Sequence, residues 1–199
     1  MLSAEALTCA RGGRTLFRGL SITLAEGERL RIAGPNGSGK TSLLRILCGL
    51  LTPNAGEVRW RGEKISVLRE EYARHIVYLG HAPAVKDDLT AEENLAITCR
   101  LAGFAAKTGE ALSRLGVSAD IPVRKLSQGQ RRRAALARLV VSEQVPLWLL
   151  DEPYAALDTQ AARIVDELIT AHAARGGAVV FTTHQETGAA ASRVIELHA

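Results

Sequence analysis

Gly34-Pro35-Asn36-Gly37-Ser38-Gly39-Lys40-Thr41 is the stretch that decides how the rest of this chain is read. It matches the spacing G-x-x-x-x-G-K-[ST] in full. A polyphosphate needs several backbone N–H groups aimed at it, and glycines let the chain curl that closely. Leu30 and Ile32 lead into the loop as a strand, and Leu43, Leu44, Ile46 and Leu47 follow at helical spacing. The helix starting at Lys40 adds its positive dipole end to the anion site. In such a site Lys40 brings a point charge to the β- and γ-phosphates, the Thr41 hydroxyl can ligate Mg²⁺, and Ser42 can donate to a phosphate oxygen.

Working outward, a phosphate loop calls for a metal-anchoring acid on a neighbouring strand. Val145-Pro146-Leu147-Trp148-Leu149-Leu150 reads as a strand covered on both faces, and Asp151-Glu152 follow at its carboxyl edge, where ligands collect in open α/β sheets. Asp151 is the expected Mg²⁺ partner, and Glu152 is placed to polarise an attacking water. Gly49 and Pro53-Asn54-Ala55-Gly56 signal a helix stop and a turn, with a strand from Glu57 to Trp60. The pattern is helical from about Leu89 to Leu115, and a second helix is expected over Gly129 to Val141. Thr159 to Ala174 is a further helix, stopped at Gly176-Gly177, with strands at Ala178 to Phe181 and Val194 to Leu197. Strands alternating with helices argue for an α/β core with a parallel sheet, and the region near 83–145 for a helical insertion in it. One domain, 1–199, is expected.

Composition narrows the function classes. Of 199 residues, 47% are apolar and 23% charged, the balance of a globular protein. Aromatics are only 4%, which argues against a base-stacking nucleic-acid platform; the net charge of +4 can help docking at an anionic membrane surface, but it also suits an ordinary basic enzyme. No stretch approaches the roughly 20 apolar residues of a membrane span. Met1 to Ala10 carries Glu5 and no basic-then-apolar pattern, so no secretory signal is expected. Cys9, Cys48 and Cys99 are far apart, which suggests reduced thiols in a packed interior rather than a metal or haem attachment.

Leu126-Ser127-Gln128-Gly129-Gln130, followed by Arg131-Arg132-Arg133 and lying shortly before the acidic pair, resembles the signature of the ABC transporter ATP-binding subunits. Ser127 and the Gly129 N–H sit at a helix N-terminus, a second anion site in the same chain. The arginine cluster reads as a helix face with some solvated charge. Ala155-Ala156-Leu157-Asp158 resembles the family's D-loop, and His184 its switch histidine at the γ-phosphate. The resemblance covers nearly the whole chain. It implies an α/β, P-loop fold of ABC type, with an N-terminal antiparallel β region and a helical subdomain. It also implies ATP and Mg²⁺ as ligand and cofactor, and a homodimer in which the signature of one copy closes over ATP held by the other. Integral membrane subunits would hold this peripheral chain at the cytoplasmic face of a bacterial inner membrane.

Two positions depart from the family pattern. Arg11, before Gly12-Gly13, stands where an aromatic residue usually stacks on adenine; a guanidinium can stack too. His81 stands where a Gln usually senses Mg²⁺ and the membrane partner. Gly80-His81 to Lys86, Leu89 to Leu95, Arg14-Thr15-Leu16-Phe17 and Thr183-His184-Gln185 resemble the cytochrome c maturation branch. That branch implies ATP hydrolysis serving haem export, with a haem chaperone as an indirect partner and no nucleic acid. The alternatives are another small exporter with different cargo, or a soluble ABC ATPase without a membrane partner.

Overall fold

The strands of this chain sort into two sheets, one antiparallel and one parallel. The computed structural model describes residues 1–105, 107–183 and 191–198. β1 (Leu2–Arg11) and β2 (Arg14–Leu24) form a hairpin, and β3 (Arg29–Ala33) leads through the phosphate loop into α1 (Lys40–Leu47). β4 (Ala55–Trp60), β5 (Glu63–Lys64) and the short α2 (Ile65–Leu68) and α3 (Glu70–Ala73) precede β6 (Ile76–Leu79). Then come α4 (Ala91–Ala102), α5 (Thr108–Arg114), α6 (Gln128–Val141) and β7 (Leu147–Leu150). α7 (Thr159–Ala174), β8 (Ala178–Thr182) and β9 (Arg193–Glu196) complete the order.

The first sheet is antiparallel, in the order β2-β1-β4-β5. The second is parallel throughout, in the order β6-β7-β8-β3-β9. The side chains of β7 show why its sequence is unbroken apolar. Leu147 and Leu149 join the cluster shared with α1 and the antiparallel sheet, while Trp148 and Leu150 join the cluster under α4, α6 and α7. β8 divides likewise, Ala178 and Val180 to one side, Val179 and Phe181 to the other. Period-2 geometry turns a continuous apolar run into two buried faces. Fully burying each large side chain contributes about 1.5–3 kcal/mol.

The strand and helix expectations hold with small shifts, and two differ. The helical stretch 89–115 is two helices, because Gly103 adopts a left-handed φ of 72° and ends α4. Strand β6 is missing from the sequence reading; at four residues it is too short to show a period, yet it supplies an edge of the parallel sheet. All three cysteines are buried and free, as expected. Among the described residues no helix is long and apolar enough to cross a membrane.

His172 of α7 stacks on Trp148, ring centroids 3.8 Å apart and planes within 7°. A Cβ at Gly177 would overlap this ring, so the chain must pass His172 as glycine. Burial, with the Arg175 charge adding to it, pushes the imidazole pKa down from 6.5 to about 4. The unfolded chain therefore binds a proton that the folded chain refuses between those values, and stability falls as pH drops through that window. His172→Phe keeps the stack and removes the proton site. Its urea midpoint should fall less than that of the wild type between about pH 7 and about pH 4.5. Parallel pH dependences would clear His172 of this role.

Candidate functional site

The phosphate loop lies between the carboxyl end of β3 and the first turn of α1. Gly34, Gly37 and Gly39 have φ of 141°, 81° and 101°, values that favour glycine. No side chain caps α1, and no acidic residue stands in its first turn, so its end is electropositive and open to an anion. Lys40 is buried, and its Nζ donates to the carbonyls of Gly34 at 2.7 Å and Pro35 at 3.0 Å. A buried ammonium bonded to two loop carbonyls is held over the loop and can exchange those partners for phosphate oxygens. The fully buried Ser38 hydroxyl has no hydrogen-bond partner among the described residues.

Asp151 and Glu152 follow β7 at the same sheet edge. The expected neighbouring strand is one removed, since β8 lies between β7 and β3. The gap is closed by side chains. Thr41 Oγ1 donates to Asp151 Oδ2 at 2.9 Å, and Thr182 Oγ1, at the end of β8, donates to Asp151 Oδ1 at 2.9 Å. The Glu152 N–H donates to the same Thr182 oxygen at 2.9 Å. Two hard oxygen ligands, Thr41 and Asp151, thus meet beside the loop, a donor set that fits Mg²⁺. An open cavity of about 610 Å³ runs over this edge, lined among others by Asn36, Lys40, Thr41, Ser42, Asp151 and Glu152.

His81 lines that cavity too, with an exposed side chain. Arg11 sits exposed beside the tip of the β1–β2 hairpin, and the residue this hairpin lends to the cavity is Leu16, which sequence reasoning missed. Ser127 caps α6: its Oγ accepts from the Gln130 N–H at 3.2 Å, while Gln130 Oε1 accepts from the Ser127 N–H at 2.9 Å. A hydroxyl oxygen that accepts keeps its own hydrogen to donate. Ser127 is exposed, and neither it nor Gly129 lines the cavity over the phosphate loop. The structure therefore brings the loop, the acidic pair and His81 together and leaves the signature apart from them. His184 lies outside the described residues.

The arginine cluster corrects the sequence reading at one position. Arg132 is only 4% exposed and bonds four backbone carbonyls at the sheet edge. Its signal was present in the sequence: Ala135, Leu136 and Leu139, all buried, continue its face at helical spacing. Thr182 was missed because a threonine after an apolar run carries no distinctive pattern.

A family model described as ABC transporter matches residues 17–155, a span that holds the phosphate loop, the signature and the acidic pair. The chain belongs to the ABC transporter family. The cytochrome c biogenesis ATP-binding export protein CcmA of Aromatoleum aromaticum is 52% identical over 191 residues, covering 94% of this chain and 89% of that protein. Its namesake from Nitrosospira multiformis is 50% identical over 196 residues, covering 94% and 95%. A solved ATP-binding cassette, a dimer in a post-hydrolysis state bound to ADP and Pi, matches with a TM-score of 0.86 at 27% identity. The match covers 99% of this chain and 94% of that one. The parallel sheet, antiparallel sheet and helices here are those of an ABC cassette.

In this cassette the loop tolerates no side chain at Gly34. A Cβ there would come 2.5 Å from the Leu197 carbonyl oxygen and 2.7 Å from Ser38 Oγ. Gly34→Ala should cost on the order of 1–3 kcal/mol in urea unfolding. A loss below about 0.5 kcal/mol would show that the loop re-forms without this glycine.

Proposed function

We propose that this cassette hydrolyses Mg·ATP as one half of a two-site sandwich with a second copy of itself, in a membrane complex for haem export and haem delivery in c-type cytochrome biogenesis. The observation that carries the chemistry is the meeting of Thr41, Asp151 and Lys40 at one sheet edge. The cargo reading rests on the relatives named for cytochrome c biogenesis and export. In this reading the whole span 1–199 is one cassette with the helices of 83–145 inserted in its α/β core. Integral membrane subunits hold it at the cytoplasmic face of the inner membrane, and a haem chaperone is an indirect partner.

Phosphoryl transfer of this kind is mostly positioning and charge neutralisation. The N–H groups of Gly34 and of Asn36 through Ser42, at the end of α1, bind the β- and γ-phosphates beside Pro35, which has no N–H, and Lys40 turns from its carbonyls to them. Thr41 and Asp151, with His81 lining the same cavity, would hold Mg²⁺, which when bound would supply positive charge to offset that of the phosphates. Ser127 and the Gly129 N–H of the second copy close over the γ-phosphate, completing a site that one copy leaves open. Glu152 polarises the attacking water, His184 contacts the γ-phosphate, and Arg11 stacks on the adenine.

The test is ATP turnover by the full chain. Lys40→Ala should abolish it. Glu152→Gln should lower kcat about 10²- to 10⁴-fold and still bind ATP, accumulating as a nucleotide-bound dimer in analytical ultracentrifugation. Turnover at the wild-type rate in Glu152→Gln would remove that residue from the mechanism. Affinity capture from detergent-solubilised membranes should recover multi-spanning proteins and a haem-binding chaperone; recovery with ribosomes instead would overturn the membrane reading.

A further inference from the structure

Arg132 stands on α6, five residues after the cap Ser127, with its side chain buried beneath the sheet edge. One terminal nitrogen donates to the carbonyls of Gly80 at 2.9 Å and His81 at 3.1 Å. The other donates to those of Asp151 at 2.8 Å and Glu152 at 2.7 Å. One planar guanidinium therefore ties together the chain segments that follow β6 and β7, both of which line the phosphate cavity.

The effect on Glu152 is specific. This residue has a φ of 52°, a left-handed backbone that a non-glycine residue seldom keeps unless its surroundings enforce it. Two peptide planes set the direction of its Cα–Cβ bond. The plane before it is held at both ends, the Asp151 carbonyl by Arg132 and the Glu152 N–H by Thr182. The plane after it runs into Pro153, which has no N–H, so only its carbonyl can anchor it. That carbonyl accepts from Arg132 at 2.7 Å and from the Ala155 N–H at 3.1 Å. Arg132 thus touches both planes that aim the carboxylate.

We infer that Arg132 is a positioning residue, which fixes through four backbone carbonyls the angle at which the Glu152 carboxylate meets the attacking water. The inference rests on the proposed ATP hydrolysis and adds to it a residue that touches neither nucleotide nor water. Arginine is required because the four carbonyls are spanned by two nitrogens fixed in one plane, and a lysine ammonium is a single point with three donors.

The test compares Arg132→Lys and Arg132→Met with the wild type in the full chain, measuring Mg·ATP turnover, affinity for a fluorescent ATP analogue and thermal unfolding. Misaiming a reacting group by about 1 Å costs as much as 10²-fold in rate, so kcat should fall about 10- to 100-fold. Nucleotide affinity should stay within about 3-fold, because the phosphate loop is untouched. In a Glu152→Gln background, single-turnover hydrolysis should fall by no more than about 2-fold on adding Arg132→Lys, since the aimed group is already gone. An unchanged kcat in a folded variant would overturn the inference. So would an undiminished further loss in the Glu152→Gln background, or loss of cooperative unfolding in both variants, which would make Arg132 structural. A wild type without ATP turnover would sink the proposed function itself, a result distinct from wild-type turnover that survives Arg132→Lys.

Discussion

The hydrogen bond from the Thr41 hydroxyl to the Asp151 carboxylate joins residues 110 positions apart, at 2.9 Å. It links the first turn of α1 to the end of β7 across a strand that belongs to neither. The link is possible because β3, β8 and β7 run parallel and end at one edge. Helices and loops on the two faces of the sheet then deliver their polar ends to a common line. Asp151 is only 1% exposed, and buried polar oxygens need hydrogen-bond partners. Thr41 and Thr182 supply them, one per oxygen.

Helix α6 serves two places with one surface. Its exposed start carries Ser127, held as a cap by a reciprocal pair of bonds with Gln130. One turn further in, Arg132 falls on the buried stripe shared with Ala135, Leu136 and Leu139 and reaches the carbonyls at the sheet edge. A buried guanidinium is costly unless its donors are met, and the oxygens left over at the strand ends meet four of them. The carbonyls gain a donor that secondary structure does not provide there. In the proposed sandwich the same helix would face the nucleotide of the other copy at its start and hold the carboxylate of its own copy from within.

Much of this molecule is legible along the chain. The phosphate loop, the apolar run of β7 with its two acids, the cap at Ser127 and the boundaries of α7 are all written in consecutive residues. The reason is physical: glycine conformation, helix capping and strand burial are governed by residues a few positions apart. The two-faced burial of β7 is likewise implied by its composition, although which neighbour covers each face is not.

Sequence by itself thus determined the family, the α/β class, the glycine-rich loop before α1 and the identity of the acids that follow β7. Only the tertiary structure decided that β8 separates loop from acids, that Thr182 bridges the gap, that Leu16 is what the hairpin lends the cavity, and that Arg132 is buried while Arg131 and Arg133 beside it are not. Strand order and long-range pairing depend on residues that are remote in sequence and have no local period to betray them. A charge on a helix shows its side only when the helix has something to pack against.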